Sequence, residues 1–213
     1  MISTFTAFFD ANVFYGARLR SLTLWLAQTG VFRARWSEEV HDEWTAAVSR
    51  RLGIPLERLQ RTRSFMNDAV EDSVVQGYQQ LIPVINLPDP KDRHVVAAAI
   101  IARASVIVTS NLRDFPEETL SQYGIHTRTP DDFIMDVASI HKSAFAWAVR
   151  KDFINCKKPK LTPDGYANEL AAGGVTGVAE MVRKIGILLE IEEEESAEAV
   201  PASRATEGSN EGA

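Results

Sequence analysis

A single cysteine, Cys156, stands in a chain of 213 residues. One thiol excludes an internal disulfide and any metal centre built on several cysteines, and it fits a reducing, cytoplasmic setting. Long apolar runs are missing as well. The longest, Val95–Ala102, has eight residues, far below the roughly 20 needed to cross a bilayer. The N-terminus carries no basic stretch, and Asp10 interrupts its apolar run, so neither a signal peptide nor a membrane anchor is expected. No glycine-rich stretch is followed by Gly-Lys-Ser or Gly-Lys-Thr, which removes a phosphate loop. There is no internal repeat.

What is present begins with an uneven charge. The formal net charge is −6, but it comes from one end. Residues 190–213 hold eight acids (Glu190, Glu192 to Glu195, Glu198, Glu207, Glu211) against Arg204 alone. Residues 1–189 hold 22 basic and 21 acidic side chains. A near-neutral body therefore carries an acidic tail, which has too few large apolar groups to order itself by burial. Within the body, Arg50, Arg51, Arg58, Arg61 and Arg63 face only Glu57 over fourteen residues. Such a stretch is either a set of solvated helix faces or a surface for phosphates or a protein partner.

The pattern of apolar residues gives an α/β order. Phe5–Phe9 reads as a buried strand and Asn12 onward as a helix. Val31–Ala34 is a weak strand, and Ser37 caps a helix whose apolar stripe is Val40, Trp44, Ala47 and Val48. An Arg-rich helix follows Gly53 and Pro55. Tyr78–Pro83 is a connector and Val84–Leu87 a short strand or extended piece. Asp89-Pro90 starts a helix running to about Arg103. Val106–Thr109 is a buried strand, Ile125–Thr127 a short one, and Thr129-Pro130 starts another helix. Strands alternating with helices favour a parallel sheet covered by helices. Residues 136–190 read as a helical extension, and 191–213 as the acidic tail.

Four acidic sites fall where a strand ends or a helix begins: Asp10, Glu43, the pair Asp89 and Asp92, and Asp114. In an open α/β sheet those ends meet in one crevice, where ligands bind. Carboxylates gathered there repel one another unless a cation neutralises them, and hard divalent ions take oxygen ligands of this kind. Each acid also has a plainer reading. Asp10 is placed to cap the next helix, unless Asn12 takes that role and frees it. Glu43 borders the apolar stripe among the solvated Glu38, Glu39 and Asp42. Asp89 has a ready role as a cap, whereas Asp92 has none, so Asp92 is the better ligand. Asn111 and Asp114 are also good turn formers. His94 alone carries no argument for a ligand. An aspartyl-phosphate mechanism with an acid/base partner two residues on is disfavoured, because position 12 is Asn.

With these residues in view, the chain resembles the PIN-domain nucleases, in particular the VapC-type toxins of toxin–antitoxin pairs. The resemblance rests on FFDANVFY, the Glu43 helix, LPDPKDRHVVAAAIIARASVIVTSNLRDFP and GIHTRTPDDFI, covering roughly residues 5–135. KPKLTPDGYANELAAGG resembles the helical extension of a longer branch. It implies a three-layer α/β/α PIN-like fold with a central parallel sheet, plus C-terminal helices. It implies a ribonuclease dependent on Mg2+ or Mn2+, with RNA and a cognate antitoxin as partners, and it leaves a homodimer open. It carries over Asp10, Glu43 and Asp92 as metal-site acids. Many relatives have an Asp where this chain has Asn111, so either Asp114 completes the site or three acids suffice. Asn12, Arg93 and Asn111 are the expected substrate contacts. The departure at Asn111 also leaves open a PIN-fold module that binds RNA or protein without cutting.

Overall fold

The computed structural model describes residues 5–156 and 160–186. Five parallel strands form one sheet in the order β3-β2-β1-β4-β5. They are β1 (Thr6–Phe9), β2 (Arg33–Ser37), β3 (Val74–Val75), β4 (Val106–Val108) and β5 (His126–Arg128). Every residue of β1 and β4 is buried, as expected of central strands covered on both faces. The edges are short: β3 has two residues, and β5 exposes His126 and Arg128.

The helices of the body are α1 (Ala11–Tyr15), α2 (Ala17–Gln28), α3 (Glu38–Leu52), α4 (Leu56–Ala69), α5 (Arg93–Ile101) and α6 (Glu117–Leu120). The α5 segment is rich in small and β-branched residues, and Val95 to Ala99 are fully buried where it packs on β1, β2 and β4. Rings form a second packing centre. Phe9 and Phe133 meet edge to face at 5.5 Å, and Phe32 and Phe133 at 5.0 Å. Phe133 belongs to α7 (Pro130–Ile140), which is followed by α8 (Lys142–Asn155), α9 (Pro163–Ala172) and a further helix at 176–186. The result is the three-layer α/β/α arrangement with C-terminal helices.

Chain order creates the crevice. From β1 the sheet grows outward through β2 and β3, and the chain then returns to place β4 on the other side of β1. The switch point therefore lies between β1 and β4, beyond their C-terminal ends, and ligands bind at such points. Asp10 follows β1 there, and its N–H donates to the Val108 carbonyl at 3.0 Å. Thr109, Ser110 and Asn111 follow β4 at the same end.

Local details differ from expectation in four places. The helix expected from Asn12 is two helices, because Gly16 is extended (φ −76, ψ 122) and ends α1. Val84–Leu87 is not a strand: Gln79–Val84 forms a 3-10 turn, and the third strand is Val74–Val75, too short for any period to reveal. The helix after Asp89-Pro90 opens with a 3-10 turn, Pro90–Asp92, and ends at Ile101 rather than near Arg103. Finally, the cap of α1 is Asp10, not Asn12: Asp10 Oδ1 accepts the Ala11 N–H at 2.6 Å. The acidic tail lies outside the described residues.

The C-terminal helices are tied to the body by polar contacts as well as apolar ones. Thr129 and Thr162 cap α7 and α9. Asp131 reaches from α7 to accept the Gly177 and Val178 N–H groups, both at 2.9 Å, and so caps the helix at 176–186. A Cβ at position 177 would meet the Asp131 carboxylate at 3.2 Å, so glycine is what lets the two approach. Between α2, α8 and α9 lies Asp152, 1% exposed. It accepts from Tyr166 at 2.7 Å, from Arg18 at 3.3 Å and from Ser21.

Candidate active site

Asp10 is the centre of the crevice and is buried. Its Oδ1 holds the Ala11 N–H. Its Oδ2 accepts from Thr109 Oγ1 at 2.7 Å and from Asn12 Nδ2. Asn12 is thereby a brace between two strand ends. It also donates to Thr109 Oγ1 at 2.9 Å, and its Oδ1 accepts the Ser110 N–H at 2.9 Å. Burial pushes the Asp10 carboxyl above the usual carboxylate range, although the bonds from Thr109 and Ala11 pull it down; Glu43 adds to the rise and His94 opposes it. An acid this buried is charged only at a cost that a nearby cation would offset.

Asp92 ends the 3-10 turn that leads into α5, and its side chain caps nothing. Asp89 does the capping instead, accepting the Lys91 N–H at 2.9 Å. The division expected from their spacing is thus what the geometry has. Burial first, and then the charges of Asp10, Asp89, Asp114 and Glu43, together raise the Asp92 carboxyl from its ordinary 3.8 to about 6. Four acids separated widely in sequence therefore act on one carboxyl. Asp114 sits in the 3-10 turn Leu112–Asp114 and accepts from Asn111 Nδ2. Asn111 is held in turn by its N–H on Thr109 Oγ1 at 3.0 Å. Glu43 comes from α3. It lines a cleft of about 460 Å3 with Asn12, Tyr15, Trp44, Arg51 and Ser110. A separate concavity of about 260 Å3 lies at the opposite strand ends, against Phe5, Ser105 and His126, away from these acids.

The remaining expected contacts are mixed. Arg93 is half-buried, and its Nε has no hydrogen-bond partner among the described residues. Arg63 is engaged with Glu38 and with Asp42 at 2.7 Å, so it stitches α4 to α3 rather than reaching outward. Arg50, Arg51, Arg58 and Arg61 are exposed.

His94 has a larger part than its isolated position suggested. It is buried on α5, with Nε2 3.1 Å from Glu43 Oε1 and Nδ1 3.3 Å from Glu39 Oε2. Burial alone would lower its pKa; the bond and charge of Glu43, then Glu39 and Asp10, outweigh burial and raise it. The signal available in sequence was only its place two residues after Asp92 and the four-residue spacing of Glu39 and Glu43. His94→Gln is expected to cost about 1 kcal/mol, a bond to a charged group discounted because Glu43 is well exposed. A histidine raised by its partners contributes stability below its unfolded value and loses it as pH rises through the folded one. The deficit of the variant in thermal denaturation should therefore be largest at about pH 5 to 6 and fade in mildly alkaline buffer. A deficit independent of pH would mean that His94 only fills space.

The fit to a divalent ion is partial. Among the described residues, no group of three His, Cys, Asp or Glu side chains is placed to hold one ion. The acids surround a space without closing on a point in it. Their chemistry nonetheless suits Mg2+, which keeps several waters and is bound through one or two carboxylates together with substrate phosphates. Asp10 and Asp92 would be those two.

The fold and this acid-lined switch point agree with what comparison with known proteins finds. The PIN domain family matches residues 6–113, just over half of the chain, and the chain belongs to that family. The VapC50 C-terminal domain family matches residues 130–184. The protein named "Putative ribonuclease VapC50" from Mycobacterium tuberculosis is 47% identical over 68 residues, which cover 32% of this chain and 40% of that one. The match thus spans less than half of the relative's length. No solved structure matches the chain significantly. No helix among the described residues is long and apolar enough to cross a membrane.

Proposed function

We propose that the chain is a divalent-metal-dependent endoribonuclease acting on single-stranded RNA, the toxin of a type II toxin–antitoxin pair in the cytoplasm. The observation that carries this reading is Asp92, whose carboxyl is raised to about 6 by burial and by Asp10, Asp89, Asp114 and Glu43. A carboxyl raised by burial and by four neighbouring acids in a crevice marks a candidate functional site, and a cation bound there would offset both effects. Membership of the PIN family and the partial likeness to a protein named a ribonuclease support it. The division of labour is residues 1–135 as nuclease domain, 136–190 as helical extension and 191–213 as tail.

Asp10 and Asp92, with Glu43, are the residues that would hold Mg2+ or Mn2+ in this reading. Bound there, such an ion would supply an activated water and positive charge to offset that on the phosphoryl oxygens. The chain's own groups do the rest. Thr109 and Asn12 fix the Asp10 rotamer, and His94 orients Glu43 toward the crevice. Asp114, or Glu43, accepts the proton of the attacking water. Asn111 and Arg93 face the substrate phosphates, and such contacts bind RNA without reading sequence. The antitoxin covers the crevice, with an arginine pairing to the carboxylates in place of the metal. A homodimer is compatible with this.

The test is cleavage of a fluorescent single-stranded RNA across a Mg2+ titration, with Asp10→Asn alongside. Activity should need the metal and vanish in the variant while the fold persists. Metal-independent RNA binding without cleavage would favour the second reading, a non-cleaving PIN-fold RNA- or protein-binding module, which the unclosed acid set and Asn111 support.

A further inference from the structure

Between α1 and α3 the acid crevice continues into a cleft that the chemistry above uses only at one end. Asn12 and Tyr15 stand three residues apart on α1, and Glu43, Ala47 and Arg51 follow at intervals of four on α3, so each helix turns one face to the cleft. The two helices pack on each other, and the space left between them is about 460 Å3. Glu43, Asn12 and Ser110 join it to the crevice. Arg51 lies two turns of α3 beyond Glu43, roughly 12 Å along the helix. Its guanidinium stands over the Tyr15 ring, 5.8 Å from the ring centre, so these two mark the far end. The rest of the lining is Ala11, Ala47 and the buried Trp44.

We infer that this cleft is a base-stacking subsite, in which the base of a nucleotide flanking the scissile phosphate lies on the Tyr15 ring and Arg51 meets the next phosphate. The inference rests on the reading that RNA is the substrate, and it deepens that reading by naming what admits a single strand. Three observations carry it. The first is composition. Rings and methyl groups with a few polar atoms at the margin are the lining that holds a flat, largely apolar ligand. The second is continuity. Tyr15 is about one helical turn, roughly 5 Å along the axis, from Asn12, which braces Asp10 and Thr109. A phosphate held at the acids therefore has its neighbouring base within reach of the ring. The third is Arg51. It is exposed and forms no ion pair among the described residues, and its guanidinium rests on the ring by attraction to the π-face. An entering base takes over that face, and the guanidinium swings out on its long stem to a flanking phosphate.

The consequence is selection by strandedness. Every base has a π-face, so stacking on Tyr15 reads no sequence. A base inside a duplex is already paired and stacked, and it reaches the ring only by leaving the helix at a cost in free energy. Tyr15 touches the base directly. Ala47 acts by being small: a larger side chain on that face of α3 would fill the space the base enters.

The experiment is binding, read by fluorescence anisotropy in Mg2+, with the full chain carrying Asp10→Asn so that the RNA survives. The probes are a short single-stranded oligoribonucleotide, a strand of the same length made of abasic tetrahydrofuran phosphate units, and the oligoribonucleotide annealed to its complement. The single strand should bind about 10-fold more tightly than the base-free strand, the effect of stacking one base. Ala47→Leu, which fills the cleft, and Tyr15→Ala, which removes the ring, should each bring those two affinities together and narrow the preference for single strand over duplex. Tyr15→Phe should preserve both differences. Arg51→Gln should weaken the single strand and the base-free strand by the same factor, and lower the salt dependence of binding by about one charge. Tyr15 packs against the core, so Tyr15→Ala also disturbs α1; Ala47→Leu deletes no contact and keeps the result independent of that. Equal binding of the single strand and the base-free strand before any change to the cleft overturns the subsite and leaves the nuclease reading standing. A ratio unchanged in both Ala47→Leu and Tyr15→Ala does the same. A ratio that follows Tyr15 in a chain that never cuts RNA upholds the subsite and sinks the nuclease reading instead.

Discussion

Asp92→Asn is expected to lower metal-dependent cleavage by more than about 100-fold, because losing even an outer partner of a metal ligand costs 10- to 100-fold. The same change should not weaken the fold. In metal-free buffer it should strengthen it, and the pH dependence carries the proof. The folded Asp92 carboxyl titrates at about 6, against an ordinary value of 3.8. A group raised in this way contributes stability that is fully present below its unfolded value and lost as pH rises through the folded one. The wild-type apo protein therefore loses ground relative to the variant between about pH 4 and 6, and the gap stays constant above that. Mg2+ should close the gap by stabilising the wild type alone. Thermal denaturation at pH 4, 5, 6 and 7.5, with and without Mg2+, reads all of this. Asp89→Asn is the control: Asn keeps the cap on the Lys91 N–H, so stability changes little and activity falls only in part. Equal loss of activity in both would mean that both residues bind the ion.

The largest effect on stability is expected far from the crevice. Asp152→Ala removes a buried acid that accepts from Arg18, Ser21 and Tyr166. It leaves the Tyr166 phenol without its acceptor and the Arg18 guanidinium with Glu169 as its remaining carboxylate, in the seam between α2, α8 and α9. Breaking a buried pair by deleting one partner costs about 3–5 kcal/mol, or roughly 10 °C in melting temperature for a domain of this size. Burial, and then the Asp152 charge, raise the Tyr166 phenol well above its ordinary value, so it donates throughout the working range. Asp152→Asn, which keeps an acceptor for Tyr166, should cost distinctly less. A loss under about 1 kcal/mol for the alanine variant would show that the seam is held by apolar packing alone.

Much of the candidate site is legible in the sequence because its acids sit at element boundaries, and boundaries leave local marks. Asp10 closes an aromatic strand, Asp89-Pro90 is a cap followed by a first-turn proline, and Asp92 is the acid left without a structural duty. These are short-range facts of backbone hydrogen bonding, so adjacent residues suffice to read them. Glu43 was visible only as a residue bordering an apolar stripe. The central strands were legible because burial on both faces demands runs such as VIV and TAFF. The two-residue β3 carries no period, and the break at Gly16 depends on one backbone angle.

What the amino-acid order determined alone was the class of fold and the separation of a balanced body from an acidic end, and it supplied the candidate acids, since each follows from local pattern and composition. Tertiary structure alone decided which groups meet. Glu39 and Glu43 converge on His94 across the α3–α5 packing. Asn12 and Thr109, 97 residues apart, brace Asp10 together. Asp131 caps a helix 45 residues downstream, and Asp152 draws in α2 and α9. On α8, Asp152 falls at helical spacing among the buried Phe145, Ala148, Val149 and Phe153. A buried charge, however, declares only that it needs partners. Their identity comes from chain segments brought together by the sheet and its covering helices, and no spacing along the chain encodes that contact directly.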